Sequence, residues 1–138
     1  MSITRPRGFR AVGLPAGLKS TGAADLALVV NDGPRDTAAA VFTANRVQAA
    51  PVLWSREAIA DGRARTVVLN SGGANACTGP DGAADTHRTA EHLATQLGIS
   101  AQDVLVCSTG LIGERLPMDP LLAAASAGFT RTVETAQL

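Results

Sequence analysis

The residues with the most chemical potential lie in the segment Cys107-Ser108-Thr109-Gly110-Leu111-Ile112-Gly113, directly after the apolar run Val104 to Cys107. A glycine N–H can approach a reacting carbonyl closely because no side chain intervenes, and a neighbouring threonine hydroxyl adds a second donor from another direction. Together they suit the stabilisation of a tetrahedral oxyanion. Thr109 and Gly110 are therefore the candidate catalytic pair. The same residues also close strands as ordinary Ser/Thr-Gly turns, so the segment alone does not decide its use.

Other segments carry weaker chemistry. The stretch Asn70 to Gly82 (NSGGANACTGPDG) is a Gly-rich loop between a strand and a helix and could present N–H groups to an anion. It lacks the spacing of a phosphate loop or a dinucleotide fingerprint. It has no lysine, and Asp81 and Asp85 at the helix start would repel a phosphate. A small-anion or nucleotide module using Gly72 to Gly79 is the alternative function. His87 and His92 are five apart, about 140° around a helix, so they cannot ligate one metal from one face. The pattern expects His87 to flank the packed face and His92 to be solvated. Asp85, Arg88 and Glu91 read as exposed helix-surface pairs. Lys19, the single lysine, reads as exposed in a loop or short strand. Cys77 and Cys107 have no close cysteine partner and read as two buried thiols, with neither a zinc knuckle nor a redox pair.

Elements must hold these groups in place. Short apolar, β-branched-rich runs predict strands at 26–30, 39–43, 51–54, 66–69 and 104–107. Asn31-Asp32-Gly33-Pro34 predicts a tight connection between the first two. Between Ala83 and Leu97 the period becomes helical, with Ala83, Thr86, Ala90, Leu93, Ala94 and Leu97 on one face and Gly98 as the stop. Strand, helix, strand across 66–107 closes most economically as a right-handed parallel crossover. A last helix is expected from Asp119 as N-cap and Pro120, with Leu122, Ala125, Phe129 and Val133 on its face, running to Leu138. The fold class is α/β, with mixed sheets and packed helices.

With 138 residues, twelve basic and twelve acidic side chains, the chain is electrically balanced and of single-domain size. It has 26 Ala but only Phe9, Phe42, Trp54 and Phe129 as aromatics, so small side chains must fill the core. The basic residues, eleven Arg and one Lys, are scattered. No basic stripe or aromatic platform for nucleic acid emerges. No apolar stretch approaches the length of a membrane span and no signal-peptide core follows the N-terminus, so a soluble cytoplasmic protein is expected.

Five ordered segments, GFRAVGLPAGLK (8–19), DLALVVNDGP (25–34), AAAVFTANRVQAAPV (38–52), VVLNSGGANACTGPDG (67–82) and CSTGLIGERLPMD (107–119), resemble the ornithine acetyltransferases over most of residues 8 to 122. The resemblance implies an arginine-pathway acyltransferase with the α/β sandwich of that family. Such an enzyme moves an acetyl group by ping-pong transfer from N2-acetylornithine to glutamate, in many members also from acetyl-CoA. It further implies a precursor that cleaves itself before a threonine, that threonine as nucleophile, and a heterotetramer of two alpha and two beta chains. The Thr-Gly of the CSTG motif carries onto Thr109 and Gly110 as oxyanion donors. No metal or resident cofactor is implied. The family's Ala-Thr cleavage site does not occur up to Leu138, so residues 1–138 are expected to form the N-terminal portion of the alpha chain. They would stop before the cleavage site, lack the nucleophile and be inactive alone.

Overall fold

A computed structural model describes residues 2–136, with side chains described through Val133. Four strands, β1 (Phe9–Leu14), β2 (Leu26–Asn31), β3 (Thr66–Gly73) and β4 (Val104–Leu111), form one mixed sheet in the order β1-β2-β3-β4. The β1/β2 and β2/β3 pairs are antiparallel and β3/β4 is parallel. Three helices pack on it: α1 (Ala50–Ala58), α2 (Gly79–Leu97) and α3 (Met118–Ala136). The α/β expectation and the parallel crossover through the second helix are both realised. Gly98 caps α2 in the left-handed conformation, its N–H on the Ala94 carbonyl.

Strand alternation places Leu26, Leu28 and Val30 of β2, Val68 of β3, and Val104 and Val106 of β4 in the interior. Of these, Leu26, Leu28, Val68, Val104 and Val106 cluster with Ala90, Leu93 and Ala94 of α2 and Ala125 of α3. Alanines at the helix contacts let the backbones approach the sheet, which is how so alanine-rich a chain closes a core.

Several local expectations are corrected. Residues 51–54 are helical, not extended: Pro51 occupies the first turn of α1, and the buried positions Pro51, Ser55 and Ala58 recur at helical spacing. Residues 39–43 form no strand, and Val41 is 99% exposed. The partner of β2 is instead β1, whose alternation is interrupted by Arg10 and Gly13 and which the sequence pattern missed. The buried stripe of α3 is Met118, Leu121, Leu122, Ala125, Gly128 and Thr132, so Phe129 and Val133 flank it. The helix begins at Met118, one residue before the expected cap, and Gln137 and Leu138 lie outside the described residues. No described helix is long and apolar enough to cross a membrane.

Candidate functional site

Thr109 and Gly110 lie at the C-terminal end of β4, both exposed. This is the end of a parallel strand pair at which α/β proteins place their ligands. The ladder to β3 is irregular there: Gly73 pairs with both Thr109 and Leu111. Gly110 adopts φ +133°, and a Cβ on it would lie 2.5 Å from the Gly72 carbonyl carbon and 2.6 Å from the Gly73 nitrogen. Only glycine permits that backbone approach.

The direction of the Gly110 N–H follows from its neighbours. β4 is the last strand of the sheet, and α1 lies along part of its outer edge. Trp54 Nε1 donates to the Val104 carbonyl at 2.9 Å, while Ser55 Oγ donates to the Val106 carbonyl at 2.8 Å and accepts from the Val106 N–H at 2.9 Å. Even-numbered residues of β4 therefore present their backbone groups outward. On the inner side the Asp103 carbonyl accepts from Arg65 N–H and the Leu111 carbonyl from Ala74 N–H. Alternation thus turns the Gly110 N–H to the outer edge, past the last of these α1 bonds, at Val106. No hydrogen bond engages the Thr109 hydroxyl among the described residues. A hydroxyl and an amide N–H on consecutive residues, both open to solvent, can serve one oxyanion.

Three clamps hold this strand end. The Asp25 carboxylate, buried, accepts from the backbone N–H groups of Ala16 (2.5 Å), Leu18 (2.7 Å) and Lys19 (2.8 Å). Burial opposes its ionisation, but the three N–H bonds together outweigh it and hold its carboxyl below the usual range. The loop it fixes places Leu18 against Gly72. Asn75, 1% exposed and at φ 48°, donates to the Gly82 carbonyl and to Thr86 Oγ1, each at 2.8 Å, and accepts from Thr78 Oγ1. Arg115 grips buried Asp85 through Nε (2.9 Å) and NH2 (2.8 Å), pinning the segment after Gly110 to α2. None of these contacts follows a periodicity: Asp25 and Asn75 bond partners three to eleven residues away at irregular spacings, and Arg115 bonds one thirty residues away.

The remaining candidates fall elsewhere or change character. The Gly-rich segment is filled by the Asn75 side chain, and carboxylates occupy the first turns of α2, so it offers no anion cradle. Asp85 is buried on Arg115 rather than in an exposed helix pair, Arg88 faces Asp119 at 3.7 Å, and Glu91 faces His87 at 3.6 Å. The histidine roles are reversed. His87 is exposed, its ring edge on Trp54 at 5.0 Å, and His92 is half-buried on Ser126 Oγ at 2.8 Å. Lys19 is half-buried, and its N–H on Asp25 is its part in the site. Cys77 and Cys107 are both exposed and free. Partial burial still pushes the Cys107 thiol pKa up. No three of His, Cys, Asp or Glu converge among the described residues.

The family model described as ArgJ family matches residues 10–137. The chain belongs to the ArgJ family. A relative named arginine biosynthesis bifunctional protein ArgJ, from Thermobifida fusca, is 64% identical over 127 residues, which cover 92% of this chain and 33% of the relative. The protein of the same name from Streptomyces coelicolor is 61% identical with the same coverage. The chain thus spans about a third of the length of the curated ArgJ relatives it matches. Among solved structures, it is similar to ornithine acetyltransferase complexed with ornithine from Mycobacterium tuberculosis. That match has TM-score 0.91 and 58% identity, covering 93% of this chain and 69% of that one. An ArgJ protein from Bacillus halodurans aligns with TM-score 0.85 and 40% identity, covering 91% and 65%.

Proposed function

We propose that these residues provide the oxyanion-stabilising part of an acyltransferase in arginine biosynthesis, which transfers acetyl from N2-acetylornithine to glutamate. The observation that carries the reading is the bulged end of β4, where Thr109, whose hydroxyl has no hydrogen-bond partner among the described residues, precedes Gly110, whose N–H the strand alternation turns to the outer edge. Membership of the ArgJ family supports the reaction class.

In this reading a threonine hydroxyl outside residues 1–138 attacks the acetyl carbonyl of N2-acetylornithine. The carbonyl electrons move to oxygen, which accepts hydrogen bonds from Thr109 and Gly110. Collapse expels the ornithine amine, which takes up a proton, and leaves an acetyl ester. The α-amine of glutamate then attacks that ester, passes through a second oxyanion in the same donors, loses a proton and releases the threonine. The donors act when charge develops, so they lower the barrier more than they tighten substrate binding. Acetyl-CoA as a second donor, a partner chain from the same precursor and a cytoplasmic setting belong to the same proposal.

The test is Thr109→Ala in the full-length gene product, assayed for acetyl transfer from N2-acetylornithine to glutamate. Loss of one oxyanion donor should lower kcat about 100- to 1,000-fold with KM little changed, and Thr109→Ser should restore most of the rate. Undiminished kcat in Thr109→Ala would overturn the assignment.

A further inference from the structure

Beside α1, β4 borders a cavity of about 310 Å³, a size in the range of small-molecule sites. Phe42, Pro51, Val52 and Leu105 give it apolar walls, and no charged side chain lines it. The hydroxyl of Ser55 at its rim is already committed to both backbone groups of Val106. Phe42 belongs to the irregular segment 40–43, which Arg56 of α1 holds in place. The Arg56 guanidinium lies over the Phe42 ring at 5.3 Å, and its NH1 donates to Gln48 Oε1 at 2.7 Å.

Position relates this cavity to the reaction, and the inference rests on the acyl-transfer reading above. Alternation turns the backbone groups of Val106, Ser108 and Gly110 to one edge, with about 7 Å between successive members. The cavity reaches Ser108, so it ends one such step from the Gly110 N–H. A carbonyl oxygen accepting from that N–H approaches across the edge, and the two substituents on its carbon diverge along it. One runs toward Ser108 and the cavity, the other toward Leu111 and exposed Glu114. Charge decides which half of an N2-acylornithine goes where. The ornithine half carries ionic groups that an uncharged apolar cavity would strip of water without replacement, whereas the acyl half is apolar.

We propose that this cavity holds the alkyl end of a linear acyl group longer than acetyl, so that the enzyme also transfers medium-chain acyl groups, with Phe42 as a specificity-determining residue. The bonds made and broken are those of acetyl transfer, and only the substituent on the carbonyl carbon differs. An acetyl methyl stops one bond from that carbon and leaves the cavity empty. A linear chain needs about five carbons beyond the carbonyl to span the 7 Å step, so each further methylene enters apolar surroundings.

In the full-length gene product, kcat/KM for transfer to glutamate should rise about fifteenfold from N2-hexanoylornithine to N2-octanoylornithine, about fourfold for each methylene buried. Phe42→Asp should lower the octanoyl-to-acetyl ratio of kcat/KM by about tenfold or more. Phe42 lies outside the core, so the urea midpoint of Phe42→Asp should match the wild type, which keeps a changed ratio separate from a lost fold. A second readout needs no turnover. Cys107 lines the cavity and Cys77 does not, and both are free and exposed. In the 138-residue chain, octanamide near saturation should slow alkylation of Cys107 by iodoacetamide about tenfold, with Cys77 unchanged and acetamide without effect. No protection of Cys107, equal protection of Cys77, or an unchanged ratio in Phe42→Asp would each overturn the proposal. The alkylation result fails with the cavity alone, whereas undiminished kcat in Thr109→Ala fails with the oxyanion assignment.

Discussion

At Gly110 two backbones meet so closely that one methyl group has nowhere to go. Gly110→Ala would force a side chain into a left-handed conformation and into the Gly72 carbonyl carbon, so urea denaturation should show a loss of about 3 kcal/mol or more. Gly13→Ala is the control: a Cβ there meets nothing within 4 Å, and the change should stay within about 0.5 kcal/mol. Thr109 and Gly110 were legible in the sequence because a hydroxyl and a glycine after an apolar run form a contiguous signal. Asp25, Asn75 and Arg115 were not. Asp25 reaches back six to nine residues, and Arg115 reaches thirty residues to Asp85, distances at which no periodicity or motif links donor to acceptor. The reversed histidines show the same limit. His92 is packed because Ser126 of α3 comes to it, a fact that belongs to the helix pair rather than to either helix.

The elements were readable where a period extended over many residues and unreadable where it was short. α2 declared itself over Ala83 to Leu97 with a glycine stop, although the helix starts earlier, at Gly79, inside the stretch read as a Gly-rich loop. α1 did not, because Pro51 to Trp54 alone is an apolar run compatible with strand or helix, and the buried residue that completes its helical spacing is a serine. That serine is also what the helix contributes to the sheet. Ser55→Ala would leave both the N–H and the carbonyl of Val106 without a partner, so it should cost about 2 kcal/mol in chemical denaturation and speed hydrogen exchange at the Val106 amide. Trp54→Phe removes one bond to Val104 and should cost less on the hydrogen-bond count. Residues 39–43 read as a strand on composition, but Trp54 and Ser55 of α1 take the outward backbone groups of β4 at Val104 and Val106, and residues 39–43 stay irregular: β propensity is realised only where a ladder is free to accept the strand.

Across the whole molecule, stability should fall in acid for reasons that can be assigned. Three carboxyls are held below their usual range: Asp32 by its bond to the Arg10 guanidinium, Asp36 by its bond to Arg63, and Asp25 by the N–H groups of Ala16, Leu18 and Lys19 against the cost of burial. Because their folded values lie below the unfolded value of about 3.9, the stability they contribute is present above that pH and is lost as the pH falls through the depressed values. The urea midpoint should therefore be flat near neutrality and drop below about pH 4. Asp25→Asn should start lower at neutral pH and show a shallower acid limb; an unchanged limb would remove Asp25 from this account. The α/β class and the parallel crossover were visible in the order of elements, whereas the β1 hairpin was not, since its strand is defined by pairing with β2 rather than by its own pattern.

The α1 seal along β4 also bears on solubility. Without Trp54 and Ser55 on its rim, β4 would offer a run of bare N–H and carbonyl groups, a template on which the strand of another molecule could grow. Conditions that only loosen α1, well short of global unfolding, should then be enough to start intermolecular β-pairing, and turbidity in Ser55→Ala should rise before the cooperative loss of structure begins.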